Sequence, residues 1–106
     1  MVFQIEISEV ALSDAEEYVR FIRETNLEPA AADRWYRGLS AAIFTLEKLP
    51  ERCPIIPEQT EFSLEIRHLI YFSHRIIFHV NTADKLVTVY RIYHGSRPRL
   101  VLENLP

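Results

Sequence analysis

The chain has 106 residues, 48% of them apolar, which suits one domain spanning residues 1–106 with a single core and leaves no room for a second domain. Its net charge of −3 argues against a large non-specific contact with a nucleic-acid backbone. The single cysteine excludes an internal disulfide. The sequence has no basic leader followed by an apolar run, and no window of it approaches the ~20 apolar residues of a membrane span. We therefore expect a soluble cytoplasmic protein.

The first two elements are predicted from hydrophobic periodicity. Residues 2–8 alternate apolar and polar side chains, the period of a strand with one buried face. Ser13-Asp-Ala-Glu16 is a capping-box pattern, which predicts that the first helix begins at Ser13 and continues to Asn26. Its apolar residues fall on one face at helical spacing and are Ala15, Tyr18, Val19 and Ile22.

A second helix is predicted to begin at Pro29 and to end at Leu49, before Pro50. The connection between the two helices is short, so they should pack as an antiparallel helical hairpin. Gly38 costs this helix about 1 kcal/mol relative to alanine. We interpret it as a close-packing point, the alternative being a glycine that the helix tolerates. The apolar seam repeats every three or four residues through Ala32, Trp35, Leu39, Ala42, Leu46 and Leu49.

The remaining elements are predicted to be strands. Residues 51–61 contain two prolines and should form a loop, after which strands follow at roughly 64–71, 74–80 and 86–93, with a hairpin turn at residues 81–84. The apolar tail at residues 100–106 is either a last strand or a helical turn. The order β-α-α-β-β-β predicts an α+β fold, in which an N-terminal strand and the helical hairpin precede a three-stranded antiparallel sheet. The helices should cover one sheet face and leave the other free.

Several common kinds of site are excluded by their residue requirements. The four histidines have no cysteine partners and no helical spacing of three or four, no G-x-S-x-G elbow occurs, and two glycines are too few for a phosphate-binding loop. We therefore expect no metal and no cofactor.

Basic residues occur where strands are usually apolar. Residues 54–106 carry six basic residues, five acidic residues and all four histidines, whereas residues 1–53 carry six basic and ten acidic residues. Either each strand arginine faces solvent or pairs with an acidic neighbour such as Glu61 or Glu65, or several converge with His94 on one face to hold phosphates. An imidazole side chain titrates near neutral pH, and His94 is therefore a candidate for proton transfer. The strand positions concerned are Arg67, Arg75, Arg91, His94 and Arg97.

The order of elements and the residues of the last strands resemble the RelE/ParE superfamily, the toxins of type II toxin-antitoxin pairs. The resemblance covers nearly the whole chain, and the final segment is similar to the I-x-H-x-x-R ending of ParE-like members. The matching motifs are Ser13-Asp-Ala-Glu-Glu17, Leu46-Glu-Lys-Leu-Pro50, Ile66-Arg-His-Leu69, Arg75-Ile-Ile-Phe78 and Val89-Tyr-Arg-Ile-Tyr-His-Gly-Ser-Arg97.

The resemblance implies one of two activities. ParE-like members inhibit DNA gyrase by binding it, whereas RelE-like members cut messenger RNA on the ribosome with basic residues of the sheet. The lysine pair of the RelE pattern is absent here, with only Arg67 near the second strand, and no tyrosine follows Arg97. A related cleaving subgroup uses a glutamate, an arginine and a terminal histidine-tyrosine pair. Glu58 or Glu61, Arg75 and His94 match it, but the tyrosine precedes His94.

The resemblance therefore implies a ParE-like toxin that inhibits growth, stabilises plasmids and is neutralised by a cognate antitoxin. The disordered C-terminal segment of the antitoxin should add to the helical hairpin and a sheet edge, with residues 100–105 helping to close the groove. The alternative is a ribosome-dependent endoribonuclease with Arg67, Arg75, His94 and Arg97 as catalytic residues. A third hypothesis is a degenerate member without toxic activity.

Overall fold

The computed structural model describes residues 2–26 and 28–96, and its elements follow the order β-α-α-β-β-β. This confirms the predicted α+β class. Three short 3-10 turns, at Thr45–Glu47, Pro50–Arg52 and Gln59–Glu61, lie between the second helix and the second strand. The regular elements are β1 (Gln4–Ile7), α1 (Glu9–Asn26), α2 (Pro29–Phe44), β2 (Arg67–Tyr71), β3 (His74–Asn81) and β4 (Leu86–His94).

The sheet has four strands in the order β1-β4-β3-β2, one more than the three-stranded sheet predicted. The strands β2, β3 and β4 pair antiparallel as expected, and β1 joins β4 as a parallel neighbour. The helical hairpin carries the chain from β1 to the other side of the sheet, which makes this parallel pairing possible. Between Ile77 and Phe78 the register with β4 shifts and leaves Tyr90 unpaired in a bulge.

The helical hairpin packs on one face of the sheet and forms the main core. Ala11 and Ala15 are almost fully buried, and their small side chains let α1 lie close to the strands. Burial raises the pKa of the Cys53 thiol, so this cysteine is protonated near neutral pH. The buried core residues are Phe3, Ala11, Ala15, Leu39, Ile43, Leu46, Cys53, Ile76, Phe78, Val87, Val89 and Ile92.

The second face of the sheet is covered as well, so the prediction of a free face is wrong. A loop at residues 54–66 folds over it and buries a second apolar cluster. The Gln59 side chain holds the loop in shape, since its amide donates to the Leu64 carbonyl at 2.6 Å and accepts from the Ile66 amide at 2.6 Å. The cover is needed because β3 and β4 also carry apolar residues on this face. The cluster comprises Ile56, Ile66, Ile77 and Tyr93.

Helix α1 begins at Glu9, four residues before the predicted start. Ser8 is the N-cap, because its hydroxyl accepts the Ala11 amide at 3.0 Å and donates to the Tyr90 carbonyl at 2.9 Å. The prediction that Ser13-Asp-Ala-Glu16 forms a capping box is therefore wrong, because Ser13 lies inside the helix with its side chain exposed. Ser8 caps the helix and also bonds to the sheet. This second bond joins residues far apart in the sequence, so a local sequence pattern cannot reveal it.

Helix α2 begins at Pro29 as predicted but ends at Phe44 rather than at Leu49. The chain continues as a 3-10 turn, and Leu49 itself adopts a left-handed conformation with φ of 48°. Leu49 is 77% exposed and does not belong to the buried seam, whereas Ala32, Leu39 and Leu46 do.

Gly38 is a close-packing point, as its interpretation from sequence proposed. The hydroxyl of Tyr71, on β2, lies against the Gly38 Cα and donates a hydrogen bond to the Trp35 carbonyl at 2.9 Å. A Cβ at position 38 would collide with this hydroxyl, and the next ring carbon would stand 3.1 Å away.

Gly38→Ala is expected to lower the free energy of unfolding by about 1 kcal/mol, because overpacking of roughly 2 kcal/mol outweighs the gain of about 1 kcal/mol in helix propensity. In a Tyr71→Phe background the same substitution should be neutral or stabilising, since the colliding oxygen is gone. Urea unfolding of the four proteins of this cycle measures both effects. Equal destabilisation in both backgrounds would contradict the packing account.

Candidate functional site

The sequence-predicted residues lie on two different faces of the sheet. His94 pairs with His74 in the β3–β4 register and packs beside it under the helices. Arg75 follows His74 in the strand and projects from the opposite face, where it meets the covering loop. At the ends of β3 and β4 both residues nevertheless line one shallow cavity of about 350 Å3, together with Ser73 and Ser96. Arg97 lies outside the described residues, as does the tail at residues 100–106.

Arg67 ties the covering loop to the edge of the sheet. Its guanidinium donates to the carbonyls of Glu51 at 3.1 Å and Cys53 at 2.6 Å, and to the Glu65 carboxylate at 2.8 Å. Its side chain is 14% exposed, and its Nε is buried without a partner among the described residues. The pairing with Glu65 is the one foreseen from sequence, and these contacts hold the guanidinium on the protein itself.

Arg75 forms the centre of a polar cluster with Glu58 and His68. Two parallel hydrogen bonds of 2.8 Å join its guanidinium to the Glu58 carboxylate, and its Nε donates to His68 Nδ1 at 3.0 Å. The hydrogen bonds from Arg75 lower the pKa of Glu58. Burial, and then the charge of Arg75, lower the pKa of His68. The cluster therefore holds an ionised carboxylate, a guanidinium and a neutral imidazole.

A second polar site lies between α1 and the ends of β3 and β4. A cavity of about 290 Å3 opens there, which we call the histidine cavity. Its lining joins two histidines from the strands to four residues of α1 spaced as i, i+3, i+4 and i+7, the spacing of one helix face. The lining residues are Asp14, Glu17, Tyr18, Phe21, His74, Ile92 and His94.

His74 is the most deeply placed polar residue of this cavity. It is 3% exposed, and its ring centroid lies 4.3 Å from Tyr18, 4.8 Å from His94 and 5.3 Å from Trp35. The pKa of His74 is lowered to about 4, mainly by burial and then by the proximity of His94, while Asp14 opposes the shift. Its Nδ1 is buried and has no hydrogen-bond partner among the described residues. His74 is therefore neutral near pH 7.

His94 is oriented by the residues that follow β4. Its Nδ1 accepts the Ser96 amide at 3.0 Å and lies 2.6 Å from the Ser96 hydroxyl. Because a backbone N–H donates to Nδ1, the neutral ring carries its proton at Nε2. His94 can therefore donate a hydrogen bond from Nε2, and proton transfer at this position would begin from that tautomer.

Asp14 joins α1 to the strand end. Its carboxylate accepts from Arg91 Nε at 2.7 Å and Nη2 at 2.9 Å, and from the Ile92 amide at 3.0 Å. Since β1 ends at Ile7, the edge of β4 beyond Val89 has no strand neighbour within residues 2–26 and 28–96, and the side chains of Ser8 and Asp14 bind it instead. Sequence reasoning found Arg91 but missed its partner, and it missed His68 and His74.

Comparisons with known proteins agree with the fold. The family model described as ParE toxin of type II toxin-antitoxin system, parDE, matches residues 5–99. A search of curated proteins finds no match. In the described part of the chain no helix combines the length and apolarity needed to cross a membrane.

Several solved structures share the fold at low sequence identity. The chromosomal ParDE toxin-antitoxin system of P. aeruginosa aligns with a TM-score of 0.70 and 15% identity, over 88% of this chain and 96% of that one. The archaeal RelE-RelB complex of Pyrococcus horikoshii OT3 aligns with a TM-score of 0.61 and 19% identity, over 92% of this chain and 99% of that one. The toxin-antitoxin complex RelBE2 of Mycobacterium tuberculosis aligns with a TM-score of 0.60 and 13% identity, over 89% of this chain and 99% of that one.

Proposed function

The chain belongs to the ParE toxin family of type II toxin-antitoxin systems, and we propose that it inhibits growth by binding a protein target, DNA gyrase, until a cognate antitoxin neutralises it. One observation carries the choice of target class. The guanidinium of Arg75 directs one N–H from each of its three nitrogens to Glu58 and His68, and its charge is already compensated by the Glu58 carboxylate. Arg75 and His94 line a common cavity of about 350 Å3, but a phosphate bound there would have to compete with Glu58 for the guanidinium. This existing ion pair supports a binding toxin in preference to a nuclease.

The helical hairpin offers the antitoxin a groove of about 400 Å3 between α1 and α2. Its lining combines apolar side chains with both signs of charge, the surface that suits an amphipathic helix. The solved complexes with the same fold pair a toxin with an antitoxin, which supports this assignment. The sheet edge at β1 is available for an added strand, whereas the start of β2 already pairs with residues 54–56. The groove is lined by Glu16, Val19, Arg20, Arg23, Ala32, Asp33 and Tyr36.

Co-expression tests the antitoxin part of the proposal. The chain alone should arrest growth, and the short reading frame expected beside its gene should restore it. Tyr36→Asp places a charge in the hairpin groove and should prevent this rescue. Phe72→Asp is the matched control, because Phe72 is an exposed aromatic residue at the β2–β3 turn, outside the groove. If both variants are rescued equally, the hairpin groove does not bind the antitoxin. Growth unaffected by the chain alone would favour a degenerate member.

The second candidate function is a ribosome-dependent endoribonuclease, with Arg67, Arg75, His94 and Arg97 as the proposed catalytic residues. The cluster of Glu58, Arg75 and His68 favours it, since a carboxylate and an imidazole both lie within 3.0 Å of one guanidinium. Such a set can exchange a proton and stabilise a charged phosphate, provided that the covering loop admits RNA.

Primer extension on transcripts from cells expressing the chain separates the two functions. We expect intact transcripts during growth arrest. Cuts at codon positions that disappear with Arg75→Ala and His94→Ala would support the nuclease and overturn the gyrase proposal. Arg34→Ala is the matched control, because Arg34 is an exposed arginine on α2, away from both clusters.

A further inference from the structure

The histidine cavity is unused by the proposed function, although its lining is specific. Four residues on one face of α1 meet His74 and His94 at the end of the sheet, and at least three of the walls are ring faces or edges. The Phe21 ring lies 5.6 Å from the Tyr18 ring with 29° between their planes, and Phe21 is 55% exposed at the rim. The cavity volume of about 290 Å3 greatly exceeds the roughly 15 Å3 that one water needs. It therefore has room for a planar side chain.

The inner wall of the cavity is aromatic. His74 is 3% exposed there, and its ring lies edge-on to the Tyr18 ring at 4.3 Å and to the His94 ring at 4.8 Å. Its Nδ1 is buried and closed to solvent, so an entering group meets the rings and not this atom. The inner wall therefore offers ring surface to a flat group.

The charge of the lining favours a cation. The Asp14 carboxylate is compensated by Arg91, whereas Glu17 has no ion-pair partner within residues 2–26 and 28–96. His74 adds no positive charge near pH 7, because burial holds its pKa at about 4. The cavity thus presents one uncompensated carboxylate beside aromatic rings, the surroundings that attract a cation to ring faces.

We propose that the histidine cavity binds an arginine side chain presented by a partner polypeptide. The guanidinium stacks on Tyr18 and Phe21 and donates to the Glu17 carboxylate, and His74 and His94 form the inner wall behind it. Arginine suits this site better than lysine, because a flat guanidinium packs against rings and directs five N–H groups to acceptors on several sides. An ammonium group is compact and strongly hydrated, and it would leave most of the cavity unfilled.

Binding of small probes to the purified chain tests this assignment. The probes are the N-acetyl, N-methylamide forms of arginine, of lysine and of citrulline, the last being the neutral planar analogue of arginine. We expect the arginine probe to shift the ring Cε1–H resonances of His74 and His94 in a saturable manner. The lysine and citrulline probes should bind at least about tenfold more weakly, because each lacks either the planar group or the charge.

Glu17→Gln should weaken binding of the arginine probe by about tenfold. Glu24→Gln is the matched control, since it removes the same charge from an exposed position of α1 that does not line the cavity, and it should leave binding unchanged. Both side chains are exposed, so neither change threatens the fold. The proposal is overturned if the arginine probe shifts neither histidine, if lysine or citrulline binds as tightly, or if the two glutamine variants lose equal affinity.

Discussion

Asp14→Ala is expected to lower the free energy of unfolding by about 3 kcal/mol. The carboxylate is 12% exposed and the Arg91 side chain 19%, so water replaces the lost partner poorly. The substitution also removes the acceptor of the Ile92 amide, at a part of the β4 edge that no other described strand pairs with. Urea unfolding at pH 7 measures the loss.

Two further variants identify the cause of the stability lost in Asp14→Ala. Asp33→Ala breaks an ion pair between side chains that are 60% and 80% exposed, and it should cost less than about 1 kcal/mol because solvent screens such pairs. Adding Arg91→Leu to Asp14→Ala should recover part of the loss, since the guanidinium is then no longer left without its carboxylate. A similar cost for Asp14→Ala and Asp33→Ala would show that the link between α1 and β4 adds nothing beyond a surface pair.

Lowering the pH from 7 to 5 is expected to reduce the free energy of unfolding by about 2 kcal/mol through His74. The pKa of His74 is lowered from 6.5 to about 4 in the fold. Below pH 6.5 the unfolded chain therefore binds a proton that the folded chain does not, and this favours unfolding. The loss grows as the pH falls towards 4, where the folded protein also becomes protonated. His68, whose pKa is lowered too, adds a loss of the same sign.

His74→Phe isolates the contribution of His74. Phenylalanine keeps a ring against Tyr18 and Trp35 but does not titrate, so the variant should lose about 2 kcal/mol less than the parent between pH 7 and pH 5. The comparison uses the two pH slopes, so a change in absolute stability does not affect it. Parallel curves for parent and His74→Phe would contradict a buried neutral His74.

The secondary structure was largely predictable because it follows local periodicity. Alternation of apolar and polar residues predicted β1, three short apolar runs predicted β2, β3 and β4, and Pro29 with the apolar seam predicted α2. The start of α1 was missed because the N-cap, Ser8, is held in place by a further hydrogen bond to the Tyr90 carbonyl, 82 residues away in the sequence. The parallel pairing of β1 with β4 was missed for the same reason, as it depends on where the hairpin returns the chain.

The candidate sites were less predictable, because they depend on register and on partners distant in sequence. His74 and His94 are 20 residues apart and meet only through the pairing of β3 with β4. Arg75 was named from sequence as a candidate site residue, but its partner Glu58 lies on a loop whose path over the sheet leaves no periodic signal. Expecting a free sheet face therefore led to a convergent basic patch, whereas in the fold the guanidinium of Arg75 pairs with that loop.

Supercoiling by purified DNA gyrase in the presence of the purified chain tests the central claim most directly. We expect inhibition that increases with the concentration of the chain and disappears when the cognate antitoxin is added in equal amount. Full supercoiling activity at concentrations well above that of gyrase, with the chain folded by circular dichroism, would contradict the claim that this ParE-family toxin acts on gyrase.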